Sequence, residues 1–216
     1  MIDDQLKWII DFLGINNLIF WIDSGTLLGI VRDGHIIKND NDIDIGMWAS
    51  DIDNVLNTFE KQNLYKIKIF KYKKYLYKIK LYNKYLRYTI DINFFRIKNN
   101  DAWCPQPISI NYNNLFIIKK YYLSVLYPFI YRLKRIWPFS IDYNNLFWKP
   151  FYTIGVWLIP KTFFKELILF DSLRIPVPKQ YNSYLNLRYG NWKEKCPNWI
   201  FWRDDGGFKF LIDNYL

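Results

Sequence analysis

A single histidine, His35, is present in the chain. With one imidazole, Ser-His-Asp catalysis, Cys-His catalysis and His-rich metal sites are all but excluded. His35 follows Asp33-Gly34 and reads as a loop residue. Cysteine is nearly as scarce. Cys104 and Cys196 lie far apart, each precedes a proline, and they form no CxxC pair, so ordinary thiols are expected and not a zinc site. Gly 9 and Pro 9 are too few for a fibrous or linker-rich protein. No uncharged apolar run reaches the length of about 18 residues that a spanning helix needs. The nearest approach is 121–131, YYLSVLYPFIY, flanked by Lys119-Lys120 and by Arg132, Lys134 and Arg135. That length suits a buried or an interfacial segment. The start, Met1-Ile2-Asp3-Asp4, has no basic region or small-residue cleavage site, so no classical signal peptide is expected. The expected location is the cytoplasm, with peripheral contact at the inner face of a membrane as an option.

What is present is a globular composition. Of 216 residues, 51% are hydrophobic and 23% charged, which excludes disorder for most of the length. A chain this long buries roughly 70% of its unfolded surface and needs no disulfide or metal staple. Lys+Arg 30 against Asp+Glu 20 gives a net charge of +10, and aromatics reach 21%. A basic balance points to an anionic partner. The abundance of Ile, Asn, Lys, Tyr and Phe, residues with AT-rich codons, explains the same excess by base composition, so charge alone does not decide. The chemistry must run on carboxylates, amides, hydroxyls, Lys/Arg or a metal held by oxygen.

Periodicity gives a coarse order of elements. Residues 4–13 have helical spacing, with Gly14 as a C-cap. Residues 18–22 read as a buried strand, 26–31 as a short helix, 43–48 as a strand, and 51–62 as a helix with Ile52, Val55, Leu56 and Phe59 inward. Residues 65–72 and 75–82 alternate and form a hairpin with one Lys-rich face, read either as solvated or as attracting an anionic surface. Residues 86–97 form a longer strand and 99–114 a polar loop. A helix is expected at 161–170 and another at 181–187. The sum is an α/β (α+β) mixed sheet with flanking helices. Residues 1–97 form the core, and 98–216 form a mainly helical or irregular C-terminal part that completes the pocket, within one compact unit.

The most informative stretch is 21–48, WIDSGTLLGIVRDGHIIKNDNDIDIGMW. On a strand, Asp42 and Asp44 point the same way, with Ile43 and Ile45 behind them. Two carboxylates on one face without a balancing Lys repel each other, and a hard divalent cation relieves that. Asp91, a lone acid between Ile90 and Ile92, is the candidate third carboxylate on another strand. Gly25-Thr26 lies where a strand meets a helix, a place where backbone approaches phosphate closely.

Gly-Thr, then a DxD strand, then an isolated strand Asp is the pattern of the nucleotidyltransferase (polymerase-beta-like) superfamily. More narrowly, SGTLLGIVRDG followed by NDNDIDIGM closely resembles the LicD/fukutin-related family of phosphotransferases. The second family signature, a YL…RYG.W element after a Pro-containing segment, is matched by Val177-Pro178, Tyr184-Leu185, Arg188-Tyr189-Gly190 and Trp192. Asn39 and Asn41 stand where the family often has Trp and Asp, which leaves Asp40, Asp42 and Asp44 in register.

The resemblance implies a polymerase-beta-like nucleotidyltransferase fold. It also implies transfer of a phospho-alcohol (phosphocholine, phosphoethanolamine, glycerol- or ribitol-phosphate) from a CDP-alcohol donor to a sugar hydroxyl of a glycan or glycolipid, with release of CMP. Asp42, Asp44 and Asp91 would be the catalytic set and hold Mg²⁺ or Mn²⁺, with Asp91 as second-metal ligand or as base. Gly25 and Thr26 would contact the phosphates. Arg32 would pair with a phosphate, or else form a salt bridge with Asp33 or Asp40. Asp40 would orient metal-bound water, and Arg188, Tyr189, Gly190 and Trp192 would shape the pocket. Two rivals stand beside this reading. A nucleotidyltransferase moving NMP from an NTP would release pyrophosphate. A non-catalytic nucleic-acid-binding module would use the charge, yet gives no reason for three acids converging near a phosphate backbone, so no nucleic acid is expected.

Overall fold

A computed structural model describes residues 3–62, 65–109, 152–171 and 174–210, with side chains of 107–109 and 152–154 left aside. Helix α1 (Asp4–Ile15) opens where the Asp3 carboxylate accepts from the Gln5 amide at 2.9 Å. Strand β1 (Phe20–Ile22) and helix α2 (Ser24–Asp33) follow, and α2 closes at Gly34, whose φ of 75° is the left-handed cap. Then come β2 (Asp42–Trp48), a 3-10 turn (Ala49–Asp51) and α3 (Ile52–Glu60). The Lys-rich hairpin is β3 (Lys66–Tyr72) and β4 (Tyr75–Tyr82), and β5 (Thr89–Lys98) is the longest strand described.

Beyond it lie β6 (Asp101–Ser109), β7 (Tyr152–Pro160), a 3-10 turn (Lys161–Phe164), β8 (Leu167–Phe170) and β9 (Ile175–Pro178). Helix α4 (Tyr181–Tyr189), α5 (Phe201–Asp204) and β10 (Phe208–Phe210) are the last elements among the described residues. Two compact units are formed: Met1–Gln106 with Val156–Leu216, and Pro107–Gly155. Little of the second is described, only the ends of β6 and β7. The basic-aromatic stretch 119–135, read above as core or membrane-interfacial, lies outside the described residues.

The main sheet runs β1-β2-β5-β6-β7-β10, with β4 also beside β5 and β3 beside β4. β2 and β5 pair in parallel with Asp44 opposite Asp91, while β4 pairs antiparallel to β5 with Lys80 opposite Asp91. Period-two alternation gives this part of the sheet two unlike faces. Ile43, Ile45, Met47, Ile79, Leu81, Ile90, Ile92 and Phe94 form one and are fully buried, a core completed by Leu6, Ile9, Leu13, Val55 and Phe59. The other face carries the polar residues of β2, β5 and β4.

An aromatic cluster backs that second face. Trp21 packs on Phe164 with ring centroids 4.4 Å apart, and on Trp48 and Phe95 at 5.3 and 5.5 Å. Its indole lies flat on Gly46, where a Cβ would stand 2.3 Å from ring atoms. Trp21 is fully buried and has no room to retreat. Gly46→Ala is therefore expected to cost about 2–3 kcal/mol by overpacking, read as a lower denaturation midpoint in urea at unchanged slope.

Four expectations are corrected. Asn17, at φ 55°, takes the left-handed position after α1 that was assigned to Gly14, as Asn readily does. The expected loop 99–114 contains β6, which turns back on β5 through Asn99-Asn100; pairing ends at Arg96 opposite Trp103, before Pro105 would have to donate. The expected helix 161–170 is a 3-10 turn followed by β8, because Leu167–Phe170 finds a strand partner in β9. The part 98–216, expected to be mainly helical or irregular, holds five strands as well as its helices among the described residues.

Candidate functional site

Strand β2 delivers Asp42 and Asp44 to the polar face, and the start of α2 stands directly across from them. The Asp23 amide donates to the Asp44 carbonyl at 3.1 Å, and the Asp44 amide donates to Thr26 Oγ1 at 2.8 Å. Thr26 is thus fully buried and spends its hydroxyl oxygen on locking α2 to β2. Gly25 lies on the open side, where a Cβ would stand 2.7 Å from Asp40 Oδ2 and 3.8 Å from Asp44 Oδ2. The acids and the turn after β1 therefore meet, as the sequence motif implies.

Charge is unevenly balanced there. Burial, then Asp42, then Asp91 and Asp23 push the Asp44 carboxyl well above the usual carboxylate range, with Lys78 opposing them. Burial and the neighbouring Asp42 push Asp40 up to about 6. Asp91 sits in different company. Lys78 Nζ donates to Asp91 Oδ2 at 2.7 Å, and Lys80 Nζ stands 3.1 Å from Asp91 Oδ1, close enough for an ion pair though not aligned as a hydrogen bond. Lys80 also lies 3.9 Å from Asp42. The expectation that no Lys balances these acids is corrected: alternation on β4 sends Lys78 and Lys80 to this face. Asn93, between Gly46 and Lys78 in register, is fully buried, and neither of its amide atoms has a partner among the described residues.

The other expected site residues are placed differently. Arg32 is bidentate to Asp33, with Nε–Oδ1 3.1 Å and NH2–Oδ2 2.8 Å, so the salt-bridge alternative is the one observed. His35 is an exposed turn residue. Arg188 is almost wholly buried. Its Nε lies 2.8 and 2.7 Å from the two Asp205 oxygens, its NH1 donates to the Tyr184 hydroxyl at 2.7 Å, and its plane covers Trp157 at 4.4 Å. Tyr184 in turn donates to Asp23 Oδ1, which Arg188 NH1 approaches to 3.5 Å. Arg188 is thus an internal clamp behind the Asp23-Ser24 turn. Tyr189 packs on Trp199 at 4.9 Å, and burial raises its phenol, with Asp44 among the charges it senses. Gly190 ends α4 at φ 62°, and Trp192 is buried.

Sequence reasoning missed Asp23 and Asp205, and named Tyr184 only as part of the second family signature. An acid closing an apolar run (LIFWID) and a Tyr-Arg pair four apart on one helix face were the available signals. Cys104 is buried, with its thiol pushed up to about 12 by desolvation, and Cys196 is exposed; both are free.

Among the described residues no group of three or more His, Cys, Asp or Glu is placed to hold a metal ion. Asp42 and Asp44 nevertheless fit a hard cation: they are oxygen donors on one strand face, and burial and the charge of Asp42 raise the proton affinity of Asp44. Mg²⁺ commonly takes one or two carboxylates and leaves its other positions to water and substrate phosphate.

Residues 17–180 match the family model described as LicD/FKTN/FKRP, nucleotidyltransferase domain. The chain belongs to this family. Its mixed sheet with flanking helices is accordingly a nucleotidyltransferase fold, and LicD/FKTN/FKRP membership supports a transferase. Two relatives are the uncharacterized protein RP689 of Rickettsia prowazekii, 44% identical over 54 residues, and the uncharacterized protein RT0683 of Rickettsia typhi, 46% identical over 61 residues. These matches take in 24% and 27% of this chain and 20% and 19% of those proteins, so the chain spans about a fifth of the length of the curated relatives it matches. Similar solved structures include the lincomycin-bound lincosamide antibiotic adenylyltransferase LnuA, at 19% identity and TM-score 0.38, covering 47% of this chain and 62% of that one. ANT(2'')-Ia in complex with adenylyl-2''-tobramycin is 14% identical at TM-score 0.33, covering 46% and 55%. Among the described residues no helix is long and apolar enough to cross a membrane.

Proposed function

We propose that this LicD/FKTN/FKRP-family chain is a metal-dependent phosphotransferase. It moves a phospho-alcohol from a CDP-alcohol to a sugar hydroxyl of a glycan or glycolipid and releases CMP. The observation that carries the reading is the mutually repelling Asp42/Asp44 pair facing Gly25, a place built for cation and phosphate together. Asp42 and Asp44 would hold Mg²⁺ or Mn²⁺, which supplies charge neutralisation for the diphosphate when bound. The rest falls to the chain. Gly25, with no Cβ, lets the Asp40 carboxylate lie against the turn and would let phosphate oxygens approach the α2 end beside it. Thr26 and Asp23 fix the Asp44 backbone. Lys78 and Lys80 place ammonium groups beside the acids. Asp40, pushed up to about 6, suits a group that must accept a proton from a hydroxyl near neutral pH.

The test is CMP release from CDP-choline, CDP-ethanolamine, CDP-glycerol and CDP-ribitol with Mg²⁺, for the natural chain and for Asp42→Asn. Release from one donor, lost in the variant and in EDTA, is the expected result. Silence on all four, with pyrophosphate released from a nucleoside triphosphate, would replace this reading with NMP transfer.

A further inference from the structure

We propose that Lys78, backed by Lys80, occupies the role of a second divalent ion, so that the site takes one metal ion, on Asp42 and Asp44. The inference rests on the metal-dependent reading above and deepens it. Across β2, β5 and β4 one register row reads Asp44, Asp91, Lys80, and the next reads Gly46, Asn93, Lys78. Neighbouring strands lie about 4.8 Å apart, which puts the lysines' backbone one strand away from Asp91 and two from the acid pair. Both ammonium groups converge on Asp91, one on each oxygen, at 2.7 and 3.1 Å. The Asp91 side chain is 3% exposed and that of Lys78 21%, so this pairing is shielded from water and screened little by salt.

Lys78 is hydrogen-bonded to one Asp91 oxygen and Lys80 is ion-paired with the other, so the charge that a second ion would neutralise is already offset by the two ammonium groups. That agrees with the lack, among the described residues, of any three acids placed around one point. The lysines also come from a paired strand, so the sheet delivers them at fixed positions. Lys78 is held charged by Asp91 and Asp44, against the desolvation that would neutralise an isolated buried amine. Three carboxylates would meet two ammonium groups and one divalent ion. Those three acids are thereby offset with one positive charge over, and the neighbouring Asp40, when ionised, brings the sum to zero without a second ion.

The test is Mn²⁺ titration of the whole chain, followed by the free-ion paramagnetic resonance signal and by calorimetry, alone and with CDP. The natural chain is expected to bind one Mn²⁺ and Asp42→Asn none. Lys78→Met, which frees Asp91, is expected to bind two, and Lys78→Arg to stay at one. Two ions on the natural chain would overturn this inference and leave the metal-dependent reading standing. No Mn²⁺ under either condition would overturn both. A Lys78→Met chain that folds, by circular dichroism, yet stays at one ion would also overturn it. Should that variant fail to fold, the count on the natural chain and on Lys78→Arg still decides.

Discussion

Asp44→Asn is expected to abolish transfer and to make the metal-free protein more stable. The two effects share a cause. Burial and the charges of Asp42, Asp91 and Asp23 raise the Asp44 carboxyl well above the ordinary range. A group whose folded affinity for protons exceeds its unfolded one favours the native state when protonated, and that favour is lost as pH rises through the folded value. At pH 7.5 an ionised Asp44 is therefore a cost that the neutral amide removes. Asp40 acts in the same sense between its ordinary 3.8 and about 6, so metal-free stability should fall as pH climbs through that window. Activity moves the other way. Losing one of two metal-holding carboxylates forfeits several kcal/mol of charge stabilisation, or roughly 10³-fold in rate. Thermal melts in EDTA and in millimolar Mg²⁺ separate the effects. Mg²⁺ should raise the melting temperature of the natural chain by linkage and leave Asp44→Asn unmoved. A variant that melts lower in EDTA, or retains its rate, would contradict the assignment of Asp44 as an electrostatically strained ligand.

The legible parts of this site were local. Alternation alone put Asp42 and Asp44 on one strand face, and the Gly25-Thr26 junction is set within a few residues of the β1 end. What escaped was long-range. Lys78 and Lys80 read as a solvated lysine stripe because a strand's face is fixed by its register with a neighbour, here β5, and a slip of one residue would reverse it. The four-residue run 167–170 is too short for periodicity to separate helix from strand, and its strand state depends on β9. Pro105 and Pro107 marked 99–114 as loop, although β5 pairs with β6 only up to Trp103, so neither proline is asked for an amide in that ladder. Arg188 was legible as a motif residue but not in its role, since its partners Asp23 and Asp205 are 165 and 17 positions away.

That role leads to the largest stability effect expected. Arg188→Met keeps most of the side-chain stem and removes the charge. Asp205, also buried, loses both its Nε and NH2 contacts, and Asp23 loses its only nearby cation among the described residues. Removing one partner of a buried pair leaves an uncompensated charge and costs about 3–5 kcal/mol, or on the order of 10 °C in melting temperature for a chain of this size. Some of that loss should be local to the site. Ser24 sits at φ 49°, a left-handed position that a serine holds only under constraint, and it is gripped by the Asp23 carboxylate on its amide and by Arg188 NH2 at 3.4 Å from its hydroxyl. Without the guanidinium the turn can relax, and Gly25 shifts relative to Asp40 and Asp44. Arg188→Lys should fare little better, because one ammonium cannot span Asp205, Tyr184 and Ser24. Adding Asp205→Asn to Arg188→Met should restore part of the melting temperature, since it removes one of the stranded charges. It should not restore the turn. Melts of the three variants, with CMP release measured well below their transitions, test this. An unchanged melting temperature for Arg188→Met would show that the guanidinium is not a structural clamp. A normal melt combined with a raised KM for the donor would place it instead on the substrate.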